Sequence, residues 1–165
     1  MRRLILPAIL PLFMLLTEAV AASSDDKVRT LLKEPTAPPG VVFEIVSGKA
    51  ETLRWAIPTV SHYADQLRAR FPDLSIAVVS HGDEQFALLE ERENAFKDVH
   101  NAVRTLKQDK GIEVQVCGTY AGMKNFTPEE FPAYVDVAAS GPATINDYRA
   151  LGFVHILVTQ PRTSR

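Results

Sequence analysis

Apolar positions along this chain follow two alternating rhythms. From Val41 onward, short β-branched runs are interleaved with stretches in which apolar residues recur every three or four positions. Val41-Val42-Phe43-Glu44-Ile45-Val46 reads as a first strand, and Leu53, Ala56, Ile57, Val60, Ala64 and Leu67 then predict a helix that stops before Pro72-Asp73. Pro58 lacks the amide proton of an interior helical residue, so it kinks this helix or marks its real start. Leu74 to Val79 is a second strand, and a short apolar helix over 86–89 follows His81-Gly82. Phe96, Val99, Val103 and Leu106 line the inner face of a further helix, with Lys97, Asp98, Arg104 and Lys107 on its other side and Gly111 at its end. Ile112 to Cys117 is a third strand and Tyr134 to Val137 a fourth. One or two helical turns over 146–151 end at Gly152, and Phe153 to Val158 is the last strand.

Strands that alternate with helices require crossover connections, which build a mainly parallel sheet with helices on both faces. In that architecture, functional groups gather at the carboxyl edge of the sheet. His81 and Cys117 each fall just beyond or at the end of a predicted strand. They are the first candidates.

The two ends of the chain read differently. Arg2 and Arg3 precede an apolar run from Leu4 to Leu16, and Ala19-Val20-Ala21 follows as a small-residue cleavage pattern, so residues 1–21 are expected to be a secretory signal peptide. Periplasmic or secreted localisation follows as an expectation, with no membrane span left after cleavage. Residues 22–40 carry Ser23, Ser24, Asp25, Asp26, Pro35, Pro38 and Pro39 and are expected to form a flexible N-terminal arm or strap, with room for a short helix around 28–32. Residues 160–165 form a polar tail, which leaves 41–159 as the folded α/β domain. A net charge of −2 becomes slightly more negative if the leader is lost, and it gives no general attraction to nucleic acid or anionic membrane.

Chemistry-bearing patterns are few. The chain has no P-loop, no G-x-G-x-x-G, no G-x-S-x-G and no H-E-x-x-H. One cysteine excludes an intrachain disulfide or a thiolate-rich zinc site, and the histidines at 62, 81, 100 and 155 lack metal-ligand spacing. No metal and no cofactor is expected. His62 and His100 are read as solvated helix residues and His155 as a structural residue of the last strand. Asn125-Phe126-Thr127 matches an N-glycosylation pattern and is given no role.

Cys117 is followed by Gly118-Thr119-Tyr120-Ala121-Gly122, a small-residue turn whose backbone amides can point at the sulfur and favour a thiolate. The competing reading is a small buried hydrophobe at a strand end. An exported protein also needs its lone thiol either sheltered or used. Residues 76–82 with Leu88-Leu89, then 111–118, then 139–141 through 151–156, together resemble the DsrE/DsrF-like family of sulfur-relay proteins. The resemblance covers about 41–158. It implies a three-layer α/β/α sandwich on a five-stranded, mainly parallel sheet, homo-oligomeric assembly as a trimer or hexamer, and a cysteine that carries a persulfide. Cys117 falls at the family's cysteine position and His81-Gly82 at its strand-end His-Gly. Thr119-Tyr120-Ala121 departs from the family's Asn-Thr followed by a large apolar residue, and Arg149 stands where a glutamine is common.

Three functions from different classes follow. In the first, Cys117 accepts sulfane sulfur and relays it between sulfur donors and acceptor thiol proteins or small sulfur compounds. His81 then moves a proton if it lies within hydrogen-bond reach, and Gly82, Gly118, Thr119 and Tyr120 line the site, with the Gly118 and Thr119 amides stabilising charge. In the second, the protein is a non-catalytic homo-oligomeric binding module with an inert Cys117, in which Tyr120, Phe126 and Phe131 supply apolar contacts. The third, a thiol oxidoreductase, lacks a resolving cysteine.

Overall fold

The computed structural model describes residues 22–161. The expected signal peptide at 1–21 and the last four residues of the tail lie outside the described residues. Five strands, β1 (Gly40–Ile45), β2 (Ser75–Ser80), β3 (Glu113–Cys117), β4 (Asp136–Ala138) and β5 (Val154–Leu157), pair in parallel in the order β4-β3-β2-β1-β5. Sheet and helices form a three-layer α/β/α sandwich. The sheet is fully parallel where the sequence predicted a mainly parallel one, because every connection is a crossover long enough to return the chain to the same edge.

One face of the sheet carries most of the core. Helix α2 (Leu53–Arg70) and helix α3 (Lys97–Gln108) connect β1 to β2 and β2 to β3. Their buried stripes, including Ile57, Val60, Leu67, Val99, Val103 and Leu106, pack on Phe43, Val78, Val114, Val116 and Ile156. The predicted helical spacing thus maps directly onto a buried face. Pro58 lies inside α2, whose real start is Leu53, after a 3₁₀ turn at Ala50–Thr52. This close to the helix start, the missing amide proton removes at most one intrahelical bond.

Ser24–Leu31 form helix α1 where the composition predicted a flexible arm. Ser23 and Asp26 make a reciprocal capping box, and Val28 and Leu31 are buried in the main core. Ser24 is fully buried and hydrogen-bonded to Thr159 and to Tyr63 of α2, which tie the helix to the chain beyond β5 and to the neighbouring helix. Polar composition concealed a capped amphipathic turn. Burial raises the Tyr63 phenol to about 12; the Ser24 hydrogen bond opposes this and Asp25 adds to it.

The opposite face is thinly covered. After α4 (Gly118–Met123) and β4, helix α5 (Gly141–Ala150) crosses beneath the sheet, touching β3, β2 and β1 before the chain enters β5 at the far edge. Among the described residues, Val42, Ala77, Val79 and Ile145 make up its buried cluster, with Tyr148 and Phe153 packed alongside. α5 begins five residues before the predicted turns because Ser140 caps it through the Ala143 amide and Pro142 occupies its first turn. The segment after His81-Gly82 is 3₁₀ over Asp83–Leu88 rather than a short α-helix, and β4 begins two residues beyond the start of the predicted fourth strand.

Candidate functional site

Register brings the first two candidates together. β2 and β3 pair from Ala77↔Glu113 to Ser80↔Val116, so the next residues, His81 and Cys117, emerge side by side at the carboxyl edge. Both face the thinly covered side, where the start of α5 closes over them. A Cβ on Gly141 would lie 2.6 Å from His81 Cβ and 3.3 Å from Cys117 Cβ, so the close approach of α5 requires glycine.

Cys117 is 4% exposed. Its backbone is clamped by Gln85, whose Oε1 accepts from the Cys117 N–H at 2.8 Å and whose Nε2 donates to the Cys117 carbonyl at 3.2 Å. Sγ accepts the Tyr120 N–H at 3.4 Å, which makes Cys117 the cap of α4. The amide aimed at sulfur is therefore Tyr120's and not Thr119's. Thr119 N–H and Oγ1–H both donate to the Ala139 carbonyl, at 3.0 and 2.6 Å, and so hold the cysteine loop to the strand beside it. Gly118 lies against the same strand, where an added Cβ would meet the Ala138 carbonyl oxygen at 3.1 Å.

Tyr120 turns away from the sulfur. Its hydroxyl donates to Asp83 at 2.6 Å, its ring stacks on Phe86, and Lys124 approaches both the ring and Asp83. The hydrogen bond to Asp83 raises the Tyr120 phenol and lowers the Asp83 carboxyl. Phe126 packs on Phe86 and Phe131 is buried in the main core, so the apolar groups of the binding-module reading are packing residues in this chain.

Gly82 is a fastening point. Its N–H donates to the fully buried Glu84 at 2.9 Å, and Glu84 also accepts from Ser80 Oγ and the Ser47 N–H. An added Cβ would fall 2.4 Å from the Ser47 carbonyl oxygen. The His-Gly pair thus fixes the loop after β2 against the loop after β1, which sets the direction of His81.

His81 does not hydrogen-bond to Cys117. Its Nε2 lies 2.7 Å from Glu44 Oε1, and the other carboxylate oxygen, Oε2, lies 2.5 Å from His155 Nε2. A carboxylate can only accept, so both imidazoles carry their proton on Nε2. Burial alone would raise the Glu44 carboxyl, but the hydrogen bonds and charges of the two histidines outweigh it and hold it below the usual carboxylate value. Glu44 interrupts the apolar run of β1, the strand between β2 and β5 at which the chain order of the sheet reverses, and such a reversal is where parallel sheets bind ligands.

Glu44 and His155 are the residues that sequence reasoning missed. The available signal was a charged side chain inside Val41-Val42-Phe43-Glu44-Ile45-Val46, a strand otherwise apolar on both faces. His155 was read as structural and belongs to this cluster. His100, read as solvated, is instead fully buried between the Ala87 carbonyl, at 2.9 Å from Nε2, and the Tyr134 hydroxyl, at 2.5 Å from Nδ1, away from the cluster that holds His81. His62 lies on the outer side of α2, as expected.

Among the described residues, no group of three or more His, Cys, Asp or Glu side chains is placed to hold a metal ion, and no helix is long and apolar enough to cross a membrane.

No protein-family model matches the chain, and no curated protein matches it significantly. Solved structures do. A protein of unknown function, MTH1491 from Methanobacterium thermoautotrophicum, is similar with a TM-score of 0.55 at 21% identity, over 71% of this chain and 96% of its own. The ychN protein from E. coli is similar with a TM-score of 0.48 at 13% identity, over 73% of this chain and 99% of its own. The first likeness shows a shared fold: a parallel α/β/α sandwich of the kind that the DsrE/DsrF-like resemblance implies.

Proposed function

We propose that this is an exported DsrE-like sulfur-handling protein in which Cys117 accepts sulfane sulfur, holds it as a persulfide and passes it to an acceptor thiol. The carrying observation is the setting of Cys117: a strand-end thiol that accepts a backbone N–H at sulfur and stands beside His81 under Gly141. The residue resemblance and the fold support the same reading, and the pattern of residues 1–21 supports export.

The chemistry needs no external oxidant. The Cys117 thiolate attacks the terminal sulfur of a donor persulfide, R–S–SH. The donor S–S bond breaks, a new S–S bond forms at Cys117, and R–S⁻ leaves. An acceptor thiolate then attacks the outer sulfur of the Cys117 persulfide and regenerates the Cys117 thiolate. A homo-oligomer, trimeric or hexameric, is part of this proposal and would decide how donors and acceptors reach a sulfur that is nearly covered in the single chain.

That burial favours a second reading, the non-catalytic binding module with an inert Cys117. Intact-mass measurement after exposure to polysulfide separates the two. The sulfur-handling reading expects added sulfur on the wild type, removed by reductant and absent from Cys117→Ser. The module reading expects no addition to folded protein under conditions that modify a control thiol protein.

A further inference from the structure

Among the described residues, Glu44 is the carboxylate that two imidazoles share. His81 reaches it from the end of β2 and His155 from β5, through Nε2 in both cases. Side-chain exposures of 14% for His81, 18% for Glu44 and 27% for His155 rise from the covered site toward the sheet edge. At that edge His155 helps to line a groove of about 550 Å³ between α1, residues 36–38 and β5. Gly141 of α5 brings no charge to this site, the two imidazoles oppose the effect of burial on the Glu44 carboxyl, and Asp26, Lys27 and Glu34 line the groove beside His155.

We propose that Glu44 and His155 are positioning residues for His81, and that the three side chains form a hydrogen-bonded relay in which His81 takes the Cys117 proton while Glu44, held by His155, steadies the imidazolium. The inference rests on the reading of Cys117 as a sulfur carrier and adds the residues that activate it. With Nε2–H committed to Glu44, the basic nitrogen of His81 is Nδ1, which has no hydrogen-bond partner among the described residues. His81 stands beside Cys117 in register. In the donor complex Sγ and Nδ1 close to hydrogen-bond reach and the thiol proton moves to Nδ1, leaving a thiolate and an imidazolium. The thiolate takes the terminal sulfur of R–S–SH, and the departing R–S⁻ collects the proton from the imidazolium as R–SH. Atoms, charge and electrons balance within donor and protein. Glu44 stabilises the transient imidazolium through the shared hydrogen bond, as a carboxylate does for a histidine base. The second hydrogen bond, from His155, holds the carboxylate in place for that role.

The test uses the full-length folded protein and its Glu44→Gln, His155→Gln and Cys117→Ser variants. Two readouts are taken: the rate of Cys117 alkylation by iodoacetamide across pH, and the ring-nitrogen titration of His81 by long-range proton–nitrogen NMR. The amide introduced by Glu44→Gln retains an oxygen that accepts from His81 Nε2–H, removes the charge, and turns its NH2 toward His155, which must then present an unprotonated Nε2. The relay therefore expects an unchanged fold and an unchanged His81 tautomer, with alkylation near neutral pH slowed about tenfold, the effect of one pKa unit on thiolate population. His155→Gln shifts the profile the same way by less, and Cys117→Ser moves the His81 titration. Superimposable alkylation profiles for wild type and Glu44→Gln, or a His81 titration indifferent to Cys117→Ser, overturn the relay. Should Glu44→Gln fail to fold, the His155→Gln profile and the Cys117→Ser titration decide alone. Sulfur loading read on the same samples keeps the two ideas apart. Loading with superimposable profiles retains the carrier and removes the relay, whereas shifted profiles without loading retain the relay and remove the carrier.

Discussion

The two faces of the sheet solve different problems. On one, α1, α2 and α3 bury a continuous apolar layer that includes Phe43, Val78, Val116 and Ile156. On the other, Ile145 of α5 joins three buried sheet residues, Val42, Ala77 and Val79, and the remaining area carries Glu44, His81, His155 and the sulfur of Cys117. Burial of apolar area is the main favourable term in folding. The packed face therefore holds the fold, and the thin face is left with room for polar side chains at strand ends. A single crossing helix makes this division: it needs a glycine at its start to pass His81 and Cys117, and that glycine brings no charge there.

The sharpest way to break this comparison is to remove matched volumes from the two faces. Ile57→Ala, in the packed face, and Ile145→Ala, in the thin one, both fall in the range of about 2–5 kcal/mol for buried isoleucine, with Ile57 near the top and Ile145 near the bottom. Urea unfolding measures both; equal losses, or a larger loss at Ile145, would erase the distinction. Gly141→Ala should cost about 1–3 kcal/mol, because its Cβ lies 2.6 Å from His81 Cβ and α5 must shift to admit it. The same variant should expose the Cys117 thiol to labelling, whereas Ile57→Ala should not until the protein unfolds.

Smaller effects come from titration. The Glu44 carboxyl lies below its usual value in the folded chain, so its stabilising contribution is complete above the ordinary carboxylate range and is lost as pH falls through the folded value. The stability difference between wild type and Glu44→Gln should therefore shrink on acidification, as read from urea midpoints. At the other extreme, the Tyr63 phenol is raised to about 12, so burial of the neutral phenol and its bond to Asp25 favour the folded chain below the ordinary tyrosine value, near 10. That stability should fall as pH rises from about 10 to about 12, with ultraviolet phenolate absorbance and loss of α1 docking tracking each other.

Much of the architecture was legible in the sequence because periodicity reports burial. The stripes of α2 and α3 are consequences of packing on one face of the sheet, and the β-branched runs of β1, β2 and β3 of cover on both. The room for a short helix around 28–32 was legible, but the start of α1 at Ser24 and its docking were not, because they come from a capping box and from Ser24 bonding to residues far away in sequence, neither of which composition reveals. α4 escaped because its short run of mostly small residues reads as a turn until sulfur caps it. At the site, His81 and Cys117 were readable from their position at strand ends. Glu44 and His155 lie 111 residues apart, and only the pairing of β1 with β5 brings them together. The Thr119 amide is taken up by the Ala139 carbonyl just beyond β4, a partner that only the pairing of β3 with β4 brings into reach.

The central claim is that Cys117 carries sulfur and gives it up. The most direct measurement loads the protein with polysulfide, removes the excess, adds an acceptor thiol and follows protein and acceptor together by intact mass. The account predicts that wild-type protein gains sulfur at Cys117, loses it as the acceptor gains it, and returns to its starting mass, while Cys117→Ser does neither. Sulfur gained equally by Cys117→Ser, or held by the wild type without reaching the acceptor, would contradict it.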